Sequence, residues 1–369
     1  MTLSLFARSL LSLVFATICG VLMPAVGNAQ PAGAAGENFI HRVQPGDTLI
    51  ELSQRYTETP SNWSALQQLN AVQETTRLPI GLALRIPFSM IPEIPARAKV
   101  LHAVGDVSAN QRPVAVGDLL EEGAAIQTGS NGFLTLTLSD GSTLAIPPDS
   151  ALQLERVRVF RAAALTDTIF KMERGSLESQ VAPQDTGVGR FEVRTPVSIT
   201  GVRGTNLRVH TLKDGSRSEV LSGIAALSTG SGADQANLRP GQGAAVDATG
   251  KLLGVRTLLP APVLSDPVRG GKGWVVSFDP VPGAVGYLVR VAGDATGSIL
   301  FSSQRFPAPE VTFSAPGSGE FHLMVRAIDQ DGLMGPDATL PFLGRRTLQS
   351  SDGSAVSTGY GQLVLLTEH

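Results

Sequence analysis

Cysteine is almost missing from this chain of 369 residues: the sole one is Cys19. It sits in an apolar N-terminal stretch that reads as a segment to be removed. The mature chain is then left without disulfides, thiolate metal sites or cysteine nucleophiles. Ile18 precedes it, where bacterial lipoproteins place a small residue, so lipidation is not expected. Charge is sparse too, at 17% of residues against a usual value of about 25%. With a net charge of -3 and no long run of one sign, the chain lacks the electrostatic footprint of a nucleic-acid binder.

Catalytic signals are equally thin. No serine lies in a GxSxG frame, and no serine, histidine and acid set stands out. The five histidines, His41, His102, His210, His322 and His369, are scattered, and none has the HExxH spacing that puts two ligands on one helix face. Glu121 and Glu122 are adjacent, which on a strand sends them to opposite faces, so they read as a solvated turn and not as an acid-base pair. We expect no catalytic residue, metal or cofactor, and a protein that is not an enzyme.

Turn formers, by contrast, are abundant: forty glycines and twenty-four prolines point to a turn-rich β protein. The length suits two or three domains of about 100 to 200 residues. The N-terminus carries one positive charge at Arg8, an apolar stretch over residues 10–23, a break at Pro24 and small residues around Ala29. This is the pattern of a secretory signal peptide cleaved after Ala29. The apolar run is short for a membrane span, which needs about 20 residues, and no other stretch approaches that length. A mature chain exported from the cytoplasm, with no transmembrane segment, is the expectation.

A linker rich in alanine, glycine and proline leads into a first unit. FIHRV reads as a strand, and PGDTL as a turn feeding a helix in which Thr48 and Glu51 form a capping box, the hydroxyl and the carboxylate each satisfying a free amide. Leu49, Leu52 and Tyr56 recur at helical spacing. Thr59 and Pro60 start a second helix, with Trp63, Leu66 and Leu69 as its buried stripe. GLALRIP closes the unit as a second strand, giving strand, helix, helix, strand.

HRVQPGDTLIELSQRY, then NWSALQQLN, then LPIGLALRIP resemble a LysM module, a family that binds N-acetylglucosamine-containing glycans such as peptidoglycan and chitin. Leu82 stands where the family usually carries glutamine. The resemblance implies a shallow groove between two loops, with Gly46, Asp47, Thr48 and Leu49 on one side and Leu78, Pro79, Ile80 and Gly81 on the other. Backbone amides and carbonyls there can bond an N-acetyl group while aliphatic side chains cover its methyl. The competing reading makes Leu49 and Ile80 core and Asp47 and Thr48 caps. Trp63 reads as core before it reads as a sugar platform.

The connector SMIPEIPARAK, with three prolines, should be extended and stiff. Beyond it come repeated strands and turns. In GFLTLTLSDGSTLAIP a two-residue Asp140-Gly141 loop would mix the two faces. A three-residue loop over 139–141 pairs Leu136 with Leu144 and Leu134 with Ile146, which predicts a type I turn with Gly141 left-handed at a bulge.

The motifs AVGDLLEEGAAIQTG, LSDGSTL and TPVSITGVRGTNLRV resemble a FecR domain. The family's best-known members are periplasmic regulators that cross the inner membrane and pass a receptor's state to a cytoplasmic sigma factor. Here a cleaved signal replaces the internal span, so direct anti-sigma activity is not expected. The motif Arg203, Gly204 and Thr205 interrupts an apolar alternation. An unbroken strand puts Arg203 on the face of Val197, Ile199, Leu207 and Val209, where a guanidinium must be paired. A bulge at Gly201 or Gly204 would instead turn Val202 inward and Arg203 outward. The inward, paired and structural arrangement is our expectation.

GWVVSFDPVPGAVGYLVRV and GEFHLMVRAIDQDGLMGP resemble strands B to C and F to G of a fibronectin type III-like sandwich, with Trp274, Ala284, Tyr287, Val289 and Val291 in its core and Phe321 where a corner tyrosine is common. The short apolar run 363–366 in the tail is either a last strand or a segment for a partner's sheet edge.

The expected fold class is mainly β and multidomain: a small βααβ LysM module, a β-rich FecR-like domain and a C-terminal β-sandwich. The boundaries are a signal peptide over 1–29, a linker over 30–38, the LysM module over 39–88, a Pro-rich connector over 89–98, the FecR-like domain over 99–256, the sandwich over 257–345 and a tail over 346–369. The expected function is an exported, periplasmic, cell-wall-associated protein that binds peptidoglycan or a related N-acetylglucosamine polymer and presents its β domains to an envelope protein partner, as scaffold or sensor. The alternatives are a signal-relay component of a FecR-type system with LysM as anchor and, behind it, a cell-wall hydrolase.

Overall fold

The computed structural model describes residues 33–35, 37–160, 165–182, 188–270 and 273–344, with 348, 350, 356, 358, 359 and 364 of the tail; the side chains of 33–35, 188, 189 and 203 are not described. The signal peptide, Cys19 and most of the tail, including the 363–366 run apart from Val364, lie outside these residues. The chain is mainly β, with a small helical unit followed by β-rich units. No helix among the described residues is long and apolar enough to cross a membrane.

In the first unit, strands Asn38–Arg42 and Ala83–Pro87 pair antiparallel around helices Leu49–Thr57 and Trp63–Asn70. The backbone of Gly33–Ala35 adds a third strand from the linker. Thr48 caps the first helix by accepting from the Glu51 amide at 3.3 Å, but the Glu51 carboxylate accepts from the Thr48 hydroxyl at 3.0 Å instead of closing the box on an amide. A 3-10 turn, Pro60–Asn62, precedes the second helix. Leu66 is buried and Trp63 packs against the core, whereas Leu69, expected in the stripe, is 37% exposed. Asn70 explains its place in the motif: its side-chain amide donates to the Arg85 carbonyl at 2.8 Å and its oxygen accepts from the Arg85 amide at 2.7 Å, so it acts as a rung of backbone for the last strand.

The second unit is one large sheet folded around a core that includes Leu136, Leu144, Phe170, Leu207 and Val220. The 133–146 hairpin has the expected register, Leu136 with Leu144 and Leu134 with Ile146, and Gly141 has φ +83°, which only glycine adopts without strain. The connector is no free spacer: Glu93–Pro95 pairs with Ala151–Phe160 as a strand, and the Glu93 carboxylate holds Arg156 and Arg158. In Ser198–Leu212 the pairing with Gly215–Thr229 slips between Arg203 and Leu207, where Gly204 has φ +54°. Val202 is buried in the main core, and the Thr205 hydroxyl donates to the Ile224 carbonyl at 3.0 Å. A bulge therefore exists at Gly204, while the Arg203 side chain, on which the expected ion pair depends, lies outside the described residues.

The third unit packs a three-stranded sheet (Val268–Gly270, Gly273–Ser277, Glu310–Phe313) on a four-stranded one (Leu300–Phe306, Gly286–Ala292, Gly319–Ile328, Ala338–Gly344). Val276, Val311, Tyr287, Val289, Val291, Leu323 and Val325 fill the space between them, and Trp274 and Ala284 pack at its edge. The Tyr287 hydroxyl accepts from the Val281 amide at 2.9 Å, tying the loop before its own strand.

One strand touches all three units. Leu165–Gln180 begins at Leu165, which is buried in the core of the helical unit, and ends beside Glu178, which is ion-paired to Arg290 and Arg326 of the sandwich. At about 3.3 Å per residue that is roughly 40 Å of continuous, hydrogen-bonded backbone.

Candidate functional site

The two loops singled out by the sequence lie side by side. The Gly81 amide donates to the Val43 carbonyl at 2.8 Å, the Val43 amide donates to the Leu82 carbonyl at 3.0 Å, and the Leu49 amide donates to the Thr75 carbonyl at 2.9 Å. These bonds fix the segment before the first helix against the segment before the last strand. Gly46 (φ +91°) and Gly81 (φ +83°) sit at the two turns, each with open space where a Cβ would stand. The backbone conformation, and not crowding, is what calls for glycine there.

The eight residues divide by what they expose. Gly46, Pro79, Ile80 and Gly81 are exposed, and Ile80 stands out at 72%. Leu49 and Leu78, at 0% and 6%, are core, so their side chains face the module's interior and not a ligand. Thr48 is spent on the helix cap. Among the described residues the amides of Gly46, Thr48 and Ile80 have no partner. The loops thus offer unspent backbone donors beside an exposed aliphatic side chain, the complement of an N-acetyl group.

Asp47 points the other way. Its Oδ2 lies 2.7 Å from His41 Nε2 and accepts from the Gln44 amide at 2.8 Å, while Tyr56 Oη lies 3.0 Å from His41 Nδ1. An imidazole donating from Nε2 to the carboxylate leaves Nδ1 to accept the Tyr56 hydroxyl. Burial pushes the Asp47 carboxyl up, but the bonds from His41 and the Gln44 amide outweigh it and hold it below its ordinary value. His41 is 6% exposed, so this chain of three groups braces the loop from inside and cannot reach a ligand. The sequence pattern did not single it out, because the three residues belong to a strand, a turn and a helix. Their positions in the βααβ order were the only available signal.

A second constellation was also missed. Glu178, Arg208, His210, Arg217 and Glu219 line one face of the central sheet, on alternate positions of three neighbouring strands. The sandwich covers this face with Arg290, Arg326 and Asp337. Arg326 donates to Glu178 at 2.9 and 3.1 Å and to Asp337 at 2.9 Å through both Nε and Nη2. Arg290 bridges Glu178 at 3.0 Å and Asp337 at 2.8 Å. Arg208 donates to the Gly335 carbonyl at 2.9 Å, and the Met334 amide donates to Glu219 at 2.7 Å. Burial alone would raise both acids. The arginines reverse it, holding Asp337 at about 2 and Glu178 well below the usual carboxylate range.

Glu121 and Glu122 serve different arginines, Arg97 on the surface and Arg158 in the sheet, so they do not form a pair. No cluster of three or more metal-ligating side chains occurs among the described residues.

Residues 41–87 match the family model described as LysM domain, and residues 124–226 match the one described as FecR protein. No curated protein matches the chain. Two crystal structures, at 1.65 and 2.50 Å, of a protein from Parabacteroides distasonis ATCC 8503 described as an anti-sigma factor are similar at 18% identity and a TM-score of 0.30, over 36% of this chain and 59% of that one. The extracellular domain of a protein from B. thetaiotaomicron described as a hybrid two component system is similar at 6% identity and a TM-score of 0.18, over 72% of this chain and 60% of that one. The chain thus spans about three-fifths of the length of each of these solved chains. The family matches support a LysM domain followed by a FecR domain, and each accounts for less than half of the sequence.

Proposed function

We propose that the protein is a non-enzymatic component of the cell envelope, exported to the periplasm, that binds peptidoglycan or a related N-acetylglucosamine polymer in the groove between 46–49 and 78–81. The observation that carries this reading is the exposed Ile80 beside the unpartnered amides of Gly46, Thr48 and Ile80. A LysM domain match over the same residues supports it. The FecR-like unit and the sandwich, which we read as fibronectin type III-like from its three-plus-four strand order, present surfaces to an envelope protein.

Co-sedimentation with purified peptidoglycan tests the groove. The full chain pellets with the glycan, and Ile80→Ser, which changes only an exposed side chain, reduces the bound fraction severalfold while leaving the melting temperature in place. A wild-type protein that stays in the supernatant, or a variant that pellets equally, rejects the assignment. Asp47 is a poor probe, since its loss disturbs the His41 brace.

A relay role is the second reading. It is favoured by the Leu165–Gln180 strand, which gives a ligand at one end of the molecule a rigid mechanical path to the other. In-cell crosslinking that recovers one defined membrane protein supports relay, and recovery of wall fragments alone supports anchoring. A hydrolase reading fails if incubated peptidoglycan releases no soluble fragments.

A further inference from the structure

A cavity of about 200 Å³ opens where the sandwich meets the charged face of the sheet. Glu178 and Arg208 of the sheet and Arg290 and Asp337 of the sandwich contribute to its walls, and the 296–298 loop borders it. Neither unit encloses it alone.

Its electrostatics select against ions. The cluster around it holds three guanidinium groups, Arg208, Arg290 and Arg326, and three carboxylates, Glu178, Asp337 and Glu219, and these are paired with one another. A further charge entering this balanced, partly desolvated site would lose its hydration without gaining an unpaired opposite charge. Hydrogen-bonding capacity is in surplus instead. The side chains of Thr143, Gln180 and Asn206 line the cavity and have no partner among the described residues. Hydroxyl and amide groups supply both donors and acceptors without adding charge. The volume is below the roughly 300 to 1,000 Å³ of sites for drug-sized molecules, which leaves room for one ring and its substituents.

We propose that this junction cavity is a binding site for a neutral, hydroxyl-rich molecule of single-sugar size, held by Thr143, Gln180 and Asn206. It is separate from the glycan groove and does not depend on it. Because both units wall the cavity, the bound molecule also strengthens the docking of the sandwich on the sheet.

Titration calorimetry on the full chain carrying Ile80→Ser, which weakens the groove's contribution, tests the site with D-glucose, N-acetylglucosamine and myo-inositol as neutral probes and D-glucuronate as the charged control. At least one neutral probe is expected to bind one-to-one with a Kd of about 1 mM or below. Gln180→Trp, which fills the mouth from an exposed position, is expected to weaken it at least tenfold, and Asn206→Ala severalfold. The idea is overturned if no neutral probe saturates, if binding survives both substitutions in folded protein, or if glucuronate binds more tightly than every neutral probe. Peptidoglycan co-sedimentation of the Gln180→Trp protein is expected to equal wild type, so failure here and failure of the groove reading are distinguishable.

Discussion

The central sheet is gripped at both ends, and the two grips are built from different chemistry. At the helical unit, Phe88 stacks on Phe160 with ring centroids 5.1 Å apart, Leu165 is buried alongside, and the Arg190 guanidinium lies 5.0 Å over Phe88 while it forks onto Asp167 at 2.6 and 2.7 Å. At the sandwich, a small apolar cluster of Phe133, Ala292, Leu300 and Met324 lies beside the buried network of arginines and carboxylates. The first grip combines area burial with the Arg190 pairs to Asp167 and Glu37, while the second rests chiefly on its ion network and gains specificity. A paired buried ion roughly offsets its own desolvation, but an unpaired one is costly. The ionic junction is thus the one that responds most sharply to the loss of a single group.

That contrast is broken most strongly at Glu178. Glu178→Ala leaves Arg290 and Arg326 with one carboxylate between them and should cost about 3 to 5 kcal/mol. Chemical denaturation should show the sandwich separating before the rest of the chain unfolds. A single unshifted transition would mean that the network contributes little. At the other grip, Leu165→Ala should cost about 2 to 4 kcal/mol through lost burial and a cavity, without splitting the transition at the sandwich. If both variants loosen the same junction, the two grips are not independent, and the continuous strand transmits strain between them.

The parts legible in sequence are those written in short-range patterns. The βααβ unit followed from a cap, a helical stripe and two flanking strands. The 133–146 hairpin followed from register alone, because only one loop length kept Leu134, Leu136, Leu144 and Ile146 on one face. Leu69 failed because a helix of eight residues shows the core less than a full stripe. The connector is extended over Glu93–Pro95 as expected, but proline content indicates stiffness and not pairing, so the strand edge it joins, more than sixty residues ahead, was not legible. The candidate loops were legible as positions but not as side-chain directions. Nothing local distinguishes Ile80, which is exposed, from Leu78, which is core, or shows that Asp47 turns to His41. The ion network was the least legible part. Glu178, Arg290 and Asp337 are each an ordinary charged residue on an alternating strand or turn, and only the docking of two units brings them together.

Acid gives the mildest and most graded way to separate the two grips. Asp337 is held at about 2 and Glu178 well below the carboxylate range, whereas an unfolded chain titrates near 4. Between those values the unfolded state binds more protons than the folded one, so stability falls as pH falls, and above about 4 the whole contribution is present. The stacked rings and Leu165 carry no such protons. Hydrogen exchange of the Met334 and Gly335 amides, which lie in the ionic junction, should therefore speed up progressively from about pH 4 to pH 2 relative to the Phe88 amide, after correction for intrinsic exchange. Equal acceleration at both ends would show that acid acts on the sheet itself or on the Arg190 pairs as well, and not selectively on the sandwich junction.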